Sequence, residues 1–135
     1  SRSIEGNLTN QGTLSVTRSL AFSGASSTWL NRGGLTIADG TAVSLLGGQT
    51  FTNTTGGSIS TGNSGQLQLI ASTFNHGAGT ISWSHPPIGN YPGVYPVLLD
   101  GSNLNVTSSN SASFLWHGIG GQFSGPVSAS RAPAP

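Results

Sequence analysis

The chain has 135 residues, of which only 5% are charged, and a formal net charge of +1, where an average soluble protein carries roughly 25% charged residues. Its four scattered arginines make no cationic stripe for a phosphate backbone, and no apolar run approaches the roughly 18 residues of a transmembrane helix. With no cysteine, disulfides and cysteine-based zinc sites are excluded.

Low charge with abundant Gly, Ser, Thr and Asn fits either disorder or an all-β extracellular protein. Disordered chains generally carry more charge and fewer β-branched and aromatic residues. An internal repeat decides for the second reading. Repeat pattern begins almost at once, in "SRSIEGNLTN", and the elements then follow in order. "LTNQGTLSV" (8–16) is followed by "LAF" (20–22), and "WLNRGGLTI" (29–37) by "VSLL" (43–46). "FTNTTGGSI" (51–59) is followed by "LQLI" (67–70), and then comes "TFNHGAGTI" (73–81). Alternating apolar and polar residues between Gly, Asn and Ser breakers predict short strands, and no segment keeps a helical period.

Anchored on Asn10, Asn31, Asn53 and Asn75, the copies step by 21, 22 and 22 residues. Six residues after each Asn stands Val16, Ile37, Ile59 or Ile81. Two before stand Leu8, Trp29 and Phe51, with Phe74 serving one position later in the fourth copy. A fifth copy, "VLLDGSNLN" (97–105), matches "LQLIASTFN" (67–75) at an offset of 30 and adds Asn105. Repeats of this length build solenoids.

The expected fold is therefore all-β, a parallel β-helix of about 22 residues per coil and roughly five coils, with two or three strands in each. Coils stack at about 4.8 Å, so equivalent residues stand above one another. Val16, Ile37, Ile59 and Ile81 are expected to form a buried aliphatic stack. Asn10, Asn31, Asn53, Asn75 and Asn105 are expected to form an amide ladder, since a carboxamide both donates and accepts and Asn tolerates tight-turn backbone.

The regular coils are expected over about 6–83, a loop excursion over 84–96 and further coils over 97–128. All belong to one domain, 1–128, followed by a Pro/Ala tail or linker at 129–135. The excursion "SHPPIGNYPGVYP" holds four prolines and two tyrosines, and proline withdraws ladder donors. Trp83, His85, Tyr91 and Tyr95 make it a candidate ligand or partner loop, because loops on rigid scaffolds often carry function.

On the "N-x-G-x-L/G-x-I" phrase and the cysteine-free, low-charge style, residues 6–83 and, more loosely, 97–105 resemble the β-helical regions of large bacterial surface proteins. These are of the autotransporter-passenger and filamentous-haemagglutinin kind. The resemblance implies export, an elongated shape and service as an adhesin, filament or scaffold.

Enzymatic chemistry is not expected. Glycoside hydrolysis ordinarily needs two flanking carboxylates, and Asp39 and Asp100 fall at different places on coils roughly three apart. His76, His85 and His117 lack metal-ligand spacing. His76 takes the slot of Gln11, Arg32 and Thr54, which reads as a solvated turn. Neither metal nor cofactor is expected.

The leading expectation is a structural or adhesive solenoid at a cell surface or in an extracellular filament. Its partners would be copies of itself or adjoining coils, with no nucleic acid and no membrane insertion. The alternative is a carbohydrate-binding module that takes glycan on the 83–95 loop. A minor alternative is an ice-binding solenoid, suggested by a column of Ser15, Thr36, Ser58 and Thr80.

Overall fold

The computed structural model describes residues 2–24, 26–77, 79–83, 95–106 and 116–125. The described residues form strands, turns and bends, with no helix among them. The first coil comprises β1 (Arg2–Glu5), β2 (Leu8–Asn10) and β3 (Thr13–Val16), and the second β4 (Leu20–Ser23), β5 (Thr28–Asn31) and β6 (Gly34–Ile37). The third is β7 (Ala42–Leu46), β8 (Thr50–Asn53) and β9 (Ser58–Thr61), and the fourth β10 (Gln66–Ile70), β11 (Thr73–His76) and β12 (Thr80–Trp83). Two further coils contribute β13 (Val97–Asp100) with β14 (Asn103–Val106), and β15 (Trp116–Ile119) with β16 (Phe123–Ser124).

Every pairing between these strands is parallel, and each strand pairs with its counterpart one coil away. The first sheet runs β1-β4-β7-β10-β13-β15, the second β2-β5-β8-β11-β14-β16 and the third β3-β6-β9-β12. The molecule is a parallel β-solenoid with three strands per coil: four complete coils, then two in which the first- and second-sheet strands are described. Hydrogen bonds between equivalent positions span 21, 22, 23, 30 and then 19 residues along the chain. The step of 30 absorbs the segment between β12 and β13.

Strand alternation sends every second side chain inward. Trp29, Phe51 and Phe74 stack in register on the second sheet, with Leu8 beneath and Leu104 above. Ring centroids lie 4.6 Å apart for Trp29–Phe51 and 5.3 Å for Phe51–Phe74, and Phe22 adds a contact to Trp29 at 4.2 Å. Val43, Leu67 and Val97 form one column of the first sheet, and Leu45, Leu69 and Leu99 the next. All six are fully buried. Higher up, Gly118 continues that second column because a Cβ there would come within 2.5 Å of Phe123 and 2.8 Å of Trp116. The missing side chain makes room for the last aromatic pair.

The expected aliphatic stack differs in register. Val16 pairs with Ile37, but Ile37 pairs with Thr61, while Ile59 stands over Leu35 and under Ile81. The cause is corner length. Arg32 and Gly33 alone separate β5 from β6, whereas Thr54–Gly57 separate β8 from β9, with the Gly57 amide donating to the Thr54 carbonyl at 2.8 Å. Two extra corner residues shift the following strand by one full alternation. The inward face is kept while its columns are reassigned.

Candidate functional site

The amide ladder is present in the first three coils. Asn10 Nδ2 donates to Asn31 Oδ1 at 2.9 Å, and Asn31 Nδ2 donates to Asn53 Oδ1 at 3.0 Å. Each amide also donates to a third-sheet carbonyl one coil on: Asn10 to Gly34 at 3.0 Å, Asn31 to Ser58 at 3.1 Å, Asn53 to Thr80 at 3.3 Å. Each rung thus ties the second sheet to the third across the corner. Asn31 and Asn53 are wholly buried, where an unmet amide would be costly. Gly57 leaves the space this requires, since a Cβ there would lie 2.5 Å from Asn53 Oδ1 and 2.4 Å from the Asn31 carbonyl oxygen.

The five-rung ladder expected from the Asn repeat does not form. Asn53 pairs with His76, and Asn75 pairs with Thr52 on the outward side of the same strands. The aromatic column governs the register here. Phe74 sits over Phe51, and a period of two then turns Asn75 outward and His76 inward. Asn75 starts a second ladder on the outer face, where Asn105 Nδ2 donates to Asn75 Oδ1 at 2.9 Å and Ser124 Oγ donates to Asn105 Oδ1 at 2.7 Å.

His76 therefore occupies the inward ladder position and is 1% exposed, not a solvated turn residue. Burial lowers its pKa below the ordinary imidazole value.

A further polar column was missed in the sequence. Ser27, Gln49, Ser72 and Ser102 stand at equivalent places where the chain passes from the first sheet to the second. The Ser72 amide donates to Ser102 Oγ at 3.0 Å, and Ser102 Oγ donates to the Leu69 carbonyl at 2.8 Å. Gln49 Nε2 donates to the carbonyls of Phe22 and Leu46. The signal was the triplet of a polar residue, then Thr or Asn, then a core residue: "STW", "QTF", "STF" and "SNL".

Of the proposed loop residues, His85 and Tyr91 lie outside the described residues, and for Trp83 the backbone alone is described, paired with Thr61. Tyr95 is 8% exposed, and its carbonyl accepts from Gln66 Nε2 at 2.8 Å. It is part of the packed body and offers no open aromatic face to a ligand, contrary to expectation.

The expected hydroxyl column is also rearranged by the corner shift. The outer face of the third sheet carries Thr13, Gly34, Ser58 and Thr80 in one column and Ser15, Thr36, Ser60 and Ser82 in the next. Asp39 stands at the corner between the third and first sheets, and Asp100 ends β13 on the first sheet. Both are exposed, and no cluster of metal-ligating side chains occurs among the described residues.

At the base of the first coil the core is half open. Ile4 aligns with the buried Phe22 yet is 37% exposed, and Leu8, Leu14 and Leu20 are only partly buried. A cleft of about 360 Å³ lies there, lined by Arg2, Leu14, Val16, Arg18 and Leu20 among others. β1, β2 and β3 each form the edge of their sheet.

Comparison with protein-family models, curated proteins and solved structures gives no match to this chain.

Proposed function

We propose that the protein is a structural or adhesive solenoid of a cell surface or extracellular filament, working by shape and by stacking on further coils, its own or those of a second copy. The half-open first coil carries this reading. Three parallel edges surround an apolar core in which Ile4 has no coil beneath it among the described residues. Unpaired parallel edges recruit strands, and repeat arrays bury their faces on neighbours. The low charge and the resemblance to bacterial surface repeats support the extracellular setting.

Sedimentation and negative-stain microscopy of the purified chain at rising concentration test the proposal. End-to-end oligomers that Ile4→Lys abolishes, with the circular-dichroism spectrum unchanged, are the expected result. A strictly monomeric particle at every concentration would contradict it.

One observation favours a second reading, an ice-binding face. Of the eight outward positions on the third sheet among the described residues, seven are exposed Ser or Thr and one is Gly34. They repeat at about 4.8 Å across the strands and about 6.6 Å along them. Inhibition of ice recrystallisation by the purified chain, lost on Thr36→Lys, would support that reading, and no inhibition would dismiss it.

A further inference from the structure

Within the solenoid core the scaffold reading leaves one imidazole unused. His76 lies directly over Asn53 of β8 and under Val106 of β14, with the Phe74 ring set edge-on at 5.9 Å between centroids. Neither adjoining strand carries a charged residue, and neither do β9 and β12 of the third sheet.

The chain's three carboxylate side chains are elsewhere: Glu5 on β1, Asp39 after β6 and Asp100 at the end of β13, all exposed. Burial itself disfavours the charged imidazolium, and that cost is relieved by deprotonation or by opening. At the same rung position in the first three coils stand Asn10, Asn31 and Asn53, whose amides do not titrate.

We propose that His76 is an acid-sensitive joint in the solenoid: protonation of its imidazole loosens the stack of β8, β11 and β14, while the three Asn rungs below hold at any pH. The direction follows from linkage. An unfolded or opened chain takes up the proton near about pH 6.5, and the closed stack takes it up only at lower pH, because burial lowers the folded value. Stability conferred by neutral His76 is thus fully present above about pH 6.5. It falls as pH drops towards the lowered folded value and levels off beneath it, so opening rises up to about tenfold per pH unit within that window.

Hydrogen-exchange protection factors for the amides of β8, β11 and β14, measured between about pH 7.5 and about pH 5, test this in the wild type and in His76→Asn. The wild type should lose protection by up to about tenfold per pH unit, while His76→Asn, which continues the amide column, should hold it. His76→Gln is a second neutral variant should Asn fold poorly, and both leave His85 and His117 in place as internal controls. NMR titration of the wild-type imidazole supplies a readout independent of any variant, with an expected midpoint below about 6.5. An equal acid response in the wild type and the neutral variants, or a His76 midpoint at or above that value, would overturn the proposal.

Discussion

The lower and upper halves of the second sheet use the same side chain for different ends. Below, Asn10, Asn31 and Asn53 face inward and carry hydrogen bonds through the core. Above, Asn75 and Asn105 form an amide pair of the same 2.9 Å length on the outer face. One strand position separates the two arrangements, and it changes what each amide contributes. Water can replace a lost partner at Asn105, which is half-buried, but not at Asn31, which is fully buried. The contrast teaches that position on the pleat, rather than residue type, sets the energetic weight of a repeated residue.

Truncation separates the two ladders most strongly. Asn31→Ala leaves the Asn53 oxygen and one Asn10 proton without their partners in the core and removes a side-chain bond to the Ser58 carbonyl, and should cost roughly 2–4 kcal/mol in urea unfolding. Asn105→Ala should cost less than about 1 kcal/mol in the same experiment. Equal losses would erase the distinction between inward and outward rungs.

A smaller effect of opposite sign sharpens the register shift behind it. Thr61 is 1% exposed, stacks over Ile37, and its hydroxyl has no hydrogen-bond partner among the described residues. Thr61→Val fills nearly the same volume without the buried hydroxyl, so it should stabilise the chain by about 1 kcal/mol. A destabilised Thr61→Val protein would mean that this hydroxyl is paired and the column is not apolar.

Fold class and coil length were legible because stacking writes the same constraint into each copy: an aromatic or leucine, a polar corner, a β-branched residue. The offset of 30 that carries Leu67 onto Val97 and Phe74 onto Leu104 could be read from local pattern alone. The column assignments could not, because two signals competed. Asn is visually distinctive, yet burying Phe74 outweighs keeping an amide bond: a large aromatic in the core contributes several kcal/mol, and one hydrogen bond only about 1 kcal/mol. The displaced Phe74 in the fourth copy was the clue, since a one-residue slip of the aromatic implies the same slip for every neighbour. Corner length misled in the same way at Ile59. "TTGG" and "RG" precede strands of similar appearance but deliver them two residues apart. The polar corner of Gln49, Ser72 and Ser102 went unread because Ser is common throughout this chain and carries little information until its register is known.

The central claim, that the aromatic column and not the Asn repeat sets the stack, can be tested by disulfide trapping in a chain that has no cysteine of its own. Thr52 and Asn75 are paired and outward in the structure, and adjacent parallel strands lie about 4.8 Å apart, within reach of a disulfide. Thr52→Cys with Asn75→Cys should close on mild oxidation, as read by mass spectrometry, whereas Asn53→Cys with Asn75→Cys should stay reduced because the two side chains leave opposite faces. Closure of the second pair and not the first would place Asn75 over Asn53 and contradict the account.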